Sequence, residues 1–164
     1  MAEMTADTVT VKMAEMDVVT DSRRLKTILG SCVGIILRDP ERCVSGLAHI
    51  MLPTRHRDDF TEGKYADTAI PALLARLLKN GGRQASLQAL LIGGAQMFPM
   101  GNATLASIGD QNVEASRRIL KESRIPIVFE DTGGQAGRAV TFDNATGEVS
   151  VKTLQAISRR GDEK

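Results

Sequence analysis

The 164-residue sequence has little of several features that mark common functional classes. Aromatic residues make up 3% of it and tryptophan is absent, so it lacks the side chains on which single-stranded nucleic acids stack. Its 21 Lys and Arg residues are balanced by 20 Asp and Glu residues, which leaves no basic footprint for nucleic-acid phosphates. No run approaches the ~20 apolar residues of a membrane span. The acidic start MAEMTADTVTVKMAEMD lacks the pattern of a signal peptide, so we expect a cytoplasmic protein.

Cysteine and histidine are equally scarce, with two of each. Two cysteines do not make the disulfide framework of a small secreted domain. The sequence also offers no His/Cys cluster with the spacing of metal ligands, so we expect neither a metal nor another cofactor. Of the histidines, His49 lies in an apolar stretch. His56 lies in the polar loop TRHRDD (54–59), where we expect a solvated side chain.

The first cysteine and the first histidine belong to two neighbouring apolar runs. The runs VGIIL (33–37) and VSGLAHIML (44–52) flank a polar cluster with a proline, which predicts two strands and a tight turn. A type I turn through 39–42 sets a register in which paired residue numbers sum to 81. Cys32 then lies opposite His49 on one face, with Cβ atoms about 4.5–5.5 Å apart. Cys43 lies about 20 Å further along that face, beyond disulfide reach, and is interpreted as a packing residue or a surface thiol.

Such a Cys–His pair has two interpretations. A thiol beside an imidazole is the arrangement that activates a cysteine nucleophile. Cysteine is also among the residues most often buried, and a lone histidine on an apolar strand is frequently a satisfied core group. The spacing by itself leaves both interpretations open.

The rest of the chain predicts two helices and several strands around this hairpin. A helix is expected from Asp67, as N-cap, to Lys79, followed by a left-handed stop at Asn80-Gly81. Its buried stripe would comprise Ile70, Leu73, Leu74, Leu77 and Leu78. A second helix is predicted over 110–123, and further strands over 9–13, 25–29, 87–92, 125–130, 138–143 and 148–154. These elements favour a single α+β layered domain over 1–164, with about seven strands and frayed ends at 1–8 and 158–164.

A glycine pair, Gly93-Gly94, follows the predicted buried strand and precedes a loop over 97–101. Glycines in this position can cradle a phosphate, but the spacing matches neither a Walker nor a dinucleotide motif. We expect close backbone packing beside the hairpin, with phosphate binding as the alternative.

Several ordered motifs resemble the CheD family of chemoreceptor glutamine deamidases. They are T-x-L-G-S-C-V (27–33), D-P (39–40), G-x-x-H-x-M-L-P (46–53), GKYAD (63–67), GGA with MF (93–98), IG with NV (108–113) and DTGG (131–134). They are collinear over roughly 20–151. The resemblance implies an α-β-β layered sandwich with largely antiparallel strands. It also implies a protein-glutamine deamidase, an amide hydrolase that converts selected glutamines of chemoreceptor cytoplasmic domains to glutamate.

The resemblance assigns roles to named residues. Cys32 is expected to be the nucleophile and His49 the general acid and base. The family uses a threonine shortly before the Gly-Ser-Cys to orient the imidazole, and Thr27 is the matching residue, although a β-branched residue also simply suits a strand. Backbone N–H groups around Gly30 and Ser31 are candidates for the oxyanion hole. The Ser31 hydroxyl is disfavoured as nucleophile because strand alternation points it away from Cys32.

The resemblance also implies partners, namely methyl-accepting chemotaxis proteins and a CheC-type phosphatase. A non-catalytic adaptor that binds the phosphatase or a receptor is the alternative function, and the presence of both Cys32 and His49 favours the enzyme. Gln111 stands where the family commonly has arginine, and the loop 135–138 also departs from the family pattern. Both departures concern the choice of partner and receptor.

Overall fold

A computed structural model describes residues 7–97 and 107–154, which form nine strands and two α-helices. In chain order the elements are β1 (Thr8–Thr10), β2 (Met16–Val19), β3 (Arg24–Leu29), β4 (Val33–Asp39), β5 (Val44–Ile50), α1 (Ala66–Lys79), β6 (Gln88–Gly93), α2 (Ile108–Glu122), β7 (Ile127–Thr132), β8 (Arg138–Asp143) and β9 (Val149–Thr153). Neither of the described α-helices has the length and apolar character needed to span a bilayer.

The strands form two sheets. The larger sheet has the order β2-β5-β4-β6-β7 and the smaller sheet has the order β1-β3-β8-β9. Neighbouring strands are antiparallel except for the parallel pairs β1–β3 and β6–β7. The prediction of an α+β domain with largely antiparallel strands is therefore confirmed.

The helices cover one face of the larger sheet, and the smaller sheet covers the other. Strand β5 shows why, since successive side chains along a strand point to opposite faces. Ala48 and Ile50 belong to the hydrophobic cluster that includes the helices, whereas Leu47 belongs to the cluster shared with the smaller sheet. The middle strands are apolar along their whole length because both of their faces are buried. This is the expected α-β-β sandwich.

The first predicted helix is confirmed between its ends, but its N-cap is different. Tyr65 occupies the N-cap position, and Asp67 lies in the first turn. The prediction of Asp67 as the cap is wrong because its carboxylate accepts the N–H of Arg55, at 2.9 Å, rather than an N–H of the helix. Leu78 is 41% exposed and lies outside the buried stripe. The left-handed stop is confirmed by Gly81, with φ of +101°.

The second helix begins two residues earlier than expected. Ser107 is its N-cap and accepts the N–H of Asp110 at 3.0 Å. A serine hydroxyl at this position satisfies one of the unpaired donors of the first turn.

The structure adds one strand to those predicted and gives the first strand as Thr8–Thr10 instead of 9–13. Strand β2 was not predicted, since its four residues, MDVV, include a charge; it forms because it pairs with β5. Thr8, which was expected to be frayed, instead pairs with Arg24 in the neighbouring strand. The remaining frayed ends and the loop 98–101 of the predictions lie outside the described residues, apart from Asp7.

The β4–β5 hairpin forms with a register that differs from the prediction by two residues. Gly34, not Cys32, is paired with His49, so paired numbers sum to 83. The loop contains four residues, 40–43, instead of two. Cys43 takes a left-handed conformation, with φ of +53°, at the end of this loop, and so lies outside the ladder. The Asp39 side chain stabilises the loop by accepting two of its N–H groups, at 3.0 and 3.3 Å.

Candidate active site

Thr27 and His49 meet where the two sheets face each other, and Cys32 packs against the hydrophobic cluster of the same layer. Thr27 comes from β3 of the smaller sheet and His49 from β5 of the larger sheet. Cys32 lies in the segment 30–32, which carries the chain from one sheet to the other. The two-residue register change preserves the strand alternation. His49 therefore shares the face of Leu47, and Cys32 packs against the same intersheet cluster.

A hydrogen-bond chain holds the His49 imidazole. The Thr27 hydroxyl donates to the Val11 carbonyl at 2.6 Å, and its oxygen lies 2.7 Å from His49 Nδ1. Because the single hydroxyl proton is used on Val11, Thr27 can only accept from the imidazole. The proton of the neutral ring is therefore on Nδ1, which leaves Nε2 with a free lone pair.

Burial keeps this imidazole neutral. His49 is 2% exposed, and its desolvation lowers its pKa below the ordinary value of 6.5. The Val11 carbonyl and the charge of Glu15 act in the opposite direction and offset part of this effect. Nε2 has no hydrogen-bond partner in the described part of the protein. At neutral pH His49 thus presents an unprotonated, unengaged nitrogen, as a general base requires.

Cys32 is a protonated thiol in this state of the protein. Its side chain is half-buried, and desolvation raises its pKa above the ordinary value of 9.0. It makes no hydrogen bond with His49, whose Nε2 has no described partner. The two groups are therefore both neutral at neutral pH.

The segment that carries Cys32 is held through three consecutive carbonyl groups, those of Gly30, Ser31 and Cys32, at 3.0, 3.1 and 2.8 Å. Their donors are, in the same order, Ala95 N–H, the Asn112 side-chain amide and Gly94 N–H. In contrast, the N–H groups of Ser31 and Cys32 donate to no acceptor among the described residues. Unpaired N–H groups beside a nucleophile are suited to bind a developing oxyanion.

The glycine pair packs closely against this segment. Gly93 has φ of +111°, and a Cβ atom on it would lie 2.4 Å from the Cys32 carbonyl oxygen. Gly94 has φ of +70°, and a Cβ atom there would lie 2.3 Å from Val113. The expected close packing is confirmed. The alternative, phosphate binding by this loop, is disfavoured. The N–H groups of Gly94 and Ala95 are hydrogen-bonded to the segment 30–32 and so are not available to a phosphate.

Two residues of the site were not predicted. Val11 acts through its backbone carbonyl, for which a side-chain pattern holds no signal. Asn112 is fully buried in α2, and the signal that points to it is a polar residue on the apolar face of a helix. His56 is exposed, as predicted, and Cys43 is an exposed free thiol. Among residues 7–97 and 107–154 no three His, Cys, Asp or Glu side chains lie together as metal ligands would.

Comparison with known proteins places this geometry in a family context. A family model described as CheD chemotactic sensory transduction matches residues 51–153. A Halalkalibacterium halodurans protein named chemoreceptor glutamine deamidase CheD is 44% identical over 153 residues, which is 90% of this chain and 94% of the relative. A Methanococcus vannielii protein named probable chemoreceptor glutamine deamidase CheD is 44% identical over 143 residues, 87% of this chain and 92% of the relative.

Among solved structures, a Neisseria meningitidis protein of the DUF152 family aligns with a TM-score of 0.50 and 10% identity. The alignment covers 79% of this chain and 64% of that protein. At this identity the likeness concerns the fold alone.

Proposed function

Because this chain belongs to the CheD family, we propose that it is a protein-glutamine deamidase, converting selected glutamine side chains of chemoreceptor cytoplasmic domains to glutamate. The observation that carries the proposal is the state of His49. Its Nδ1 is bound to Thr27, and its Nε2 is buried on the face shared with Cys32, without a hydrogen-bond partner among residues 7–97 and 107–154.

The first half of the reaction forms a thioester. His49 Nε2 takes the proton from Cys32 Sγ as the sulfur attacks the amide carbon of the substrate. The N–H groups of Ser31 and Cys32 would bind the oxyanion of the tetrahedral intermediate, and the absent side chain of Gly30 leaves room for the substrate. The His49 imidazolium then protonates the amide nitrogen, the C–N bond breaks and ammonia leaves.

The second half hydrolyses the thioester. His49 Nε2 accepts a proton from water as the water oxygen attacks the thioester carbon. The C–S bond breaks, Cys32 recovers its proton from the imidazolium, and glutamate is released. Throughout, Thr27 keeps Nδ1 engaged, so that proton transfer is confined to Nε2. The low pKa of His49 makes its imidazolium a ready acid toward the leaving nitrogen.

The alternative is an adaptor that binds a CheC-type phosphatase or a chemoreceptor without turnover. A buried polar nitrogen without a partner costs about 1–3 kcal/mol of folding free energy. An adaptor gains nothing from that cost, whereas a general base needs the free lone pair. This supports the enzyme. A CheC-type phosphatase remains a candidate partner of the deamidase.

Peptide mass spectrometry of a chemoreceptor cytoplasmic fragment tests the proposal. We expect the wild-type protein to convert specific glutamines to glutamate and Cys32→Ala to convert none. Cys43→Ala is the matched control, since Cys43 is an exposed thiol in the hairpin loop, and it should retain full activity. Conversion by Cys32→Ala at the wild-type rate would contradict the assigned nucleophile. If wild-type protein converts no glutamine on any receptor of the same cell, the adaptor is favoured.

A further inference from the structure

The side chain of Asn112 joins the two backbone segments that carry the candidate nucleophile and base. Its Nδ2 donates to the carbonyl of Ser31, at 3.1 Å, and to the carbonyl of Met51, at 3.0 Å. Ser31 immediately precedes Cys32, and Met51 follows His49 by two residues. We propose that Asn112 is a positioning residue that sets Cys32 relative to His49; this inference rests on the proposed function.

Backbone pairing does not reach these two segments. The β4–β5 ladder ends at Val33 paired with Ile50, so Ser31 and Met51 lie beyond it. Both groups to be joined are carbonyls, which cannot bond to each other. A side chain with two N–H donors can bind both, whereas a serine or threonine hydroxyl has a single proton. The primary amide of Asn112 meets this requirement from the helix side of the sheet.

The orientation of the amide follows from its neighbours. If the amide were rotated by 180°, its oxygen would face two carbonyl oxygens, so the nitrogen must face Ser31 and Met51. Asn112 Oδ1 is then buried without a partner among the described residues. Asn112 is fully buried. Its amide is thus placed so that the two N–H groups, and not the oxygen, make the described hydrogen bonds, which fits a role in holding the two carbonyls.

Asn112 acts on Cys32 through the segment 30–32, whose other two carbonyls are already bound. The Gly30 and Cys32 carbonyls are bound by Ala95 and Gly94 N–H groups, so Asn112 supplies the middle one of three restraints. Without it, the peptide unit that joins the Ser31 carbonyl to the Cys32 N–H can rotate between its two fixed neighbours. That rotation would redirect the Cys32 N–H and move Sγ relative to Nε2. A small displacement of a reacting group reduces turnover while leaving contacts to the rest of the substrate intact.

Asn112→Ala and the isosteric Asn112→Asp test this role, with Ser116→Ala as matched control. Ser116 lies one turn along the same helix, is fully buried, and donates to the Asn112 carbonyl at 2.7 Å without touching either segment. We expect both Asn112 variants to lower kcat by about 10-fold or more with KM nearly unchanged. Ser116→Ala, a substitution at an equally buried position of the same helix, should keep the wild-type kcat.

A second readout needs no receptor. The rate of Cys32 alkylation by iodoacetamide is measured against pH, with peptide 27–38 separated by trypsin from peptide 43–55, which contains Cys43. We expect both Asn112 variants to shift this pH profile while Ser116→Ala matches wild type. Unchanged kcat and alkylation in folded Asn112 variants would overturn the positioning role, as would failure of both variants to fold. If wild type lacks deamidase activity but the alkylation shift is seen, the proposed function fails and the positioning role stands.

Discussion

At the scale of single residues, the site depends on a neutral hydroxyl where many hydrolases place a carboxylate. The Thr27 oxygen accepts a hydrogen bond from His49 Nδ1–H, and the Thr27 hydroxyl donates a hydrogen bond to the Val11 carbonyl. It holds the tautomer as a carboxylate would, but it adds no negative charge to stabilise the imidazolium. Burial therefore dominates, and it lowers the pKa of His49. The lowered pKa makes neutral His49 a weaker base and its imidazolium a stronger acid.

Replacing Thr27 by valine removes the acceptor of the Nδ1 proton while keeping the shape of the side chain. We expect kcat/KM for glutamine deamidation to fall by about 10- to 100-fold, because the ring can adopt the wrong tautomer and rotate. The measurement is the initial rate of ammonia release from a receptor fragment.

Thr27→Ser is the matched control for this change, since it retains the hydroxyl and loses one methyl group. It should recover most of the activity that Thr27→Val loses. Equal activity of the valine and wild-type proteins would show that Thr27 serves the strand and not the imidazole, which is the alternative that β-branched propensity suggests.

At the scale of elements, the site depends on how closely β6 approaches the segment between β3 and β4. Gly93, at the end of β6, lies where any Cβ atom would clash with the Cys32 carbonyl oxygen. The N–H of Gly94 then bonds to that same oxygen at 2.8 Å. Contact and hydrogen bond together fix the backbone from which Cys32, the proposed nucleophile, extends.

Gly93→Ala should displace the Cys32 segment. Its positive φ costs about 1–2 kcal/mol with any side chain, and the 2.4 Å contact adds to this loss. We expect a lower free energy of unfolding in urea and a changed alkylation rate of Cys32.

Gly81→Ala separates backbone strain from the contact. Gly81 has a similar φ, +101°, but a Cβ atom there would have no neighbour within 4 Å. It should lose stability through strain alone and keep wild-type Cys32 reactivity. Identical losses of stability in both variants, with Cys32 reactivity unaltered, would mean that the approach of β6 is not important for the site.

At the scale of the whole molecule, the site lies in the hydrophobic layer between the two sheets, one of two such layers. One cluster joins the larger sheet to the helices, and the other joins the two sheets. Arg138 of the smaller sheet contributes to the junction through its bonds to Asp131 and to the Gly93 carbonyl of the larger sheet. The imidazole is buried in this junction, so its protonation is coupled to the stability of the whole domain.

Stability should therefore fall as pH is lowered through the titration of His49. Its pKa is lower in the folded protein than the 6.5 of the unfolded chain, so below pH 6.5 the unfolded state binds more protons. The contribution of His49 to the free energy of unfolding is thus complete above pH 6.5, and it is lost as the pH falls from 6.5 to the folded-state pKa. Urea titrations between about pH 7.5 and pH 5 measure this slope in a window where carboxylates stay ionised.

His49→Gln should flatten that slope, whatever its effect on absolute stability. His56→Gln is the control, because His56 is the other histidine of the chain and its side chain is exposed. A slope that disappears in His56→Gln, or persists in His49→Gln, would contradict the assignment of this titration to His49.

Local patterns were sufficient for most of the elements, and they supplied the residues that we propose form the site. The apolar stripe of α1 and the alternation of β3 are properties of neighbouring residues, so they can be read without the fold. The motifs around Cys32 and His49 likewise indicated the chemistry. Prediction was wrong where a side chain bonds to a group outside its own element. The Asp67 carboxylate, for example, accepts the N–H of Arg55 and does not cap its helix.

The hairpin register shows the same limit. The amino-acid sequence of residues 39–43 is compatible both with a two-residue turn and with a four-residue loop. The left-handed Cys43 and the bonds to Asp39 decide between them. Because the change is two residues, His49 keeps its face, and the prediction of a shared Cys–His face survives an incorrect pairing.

The sequence by itself determined the fold class, the helices, most strands and the pair of residues that we propose react. Only the tertiary structure decided which atoms of those residues are free. The acceptor for Thr27 is 16 residues away in Val11, and the donor for Ser31 is 81 residues away in Asn112. Hydrogen bonds of this kind carry no periodicity, because they depend on the meeting of layers and not on the neighbours of each residue. They set the tautomer of His49 and the position of Cys32.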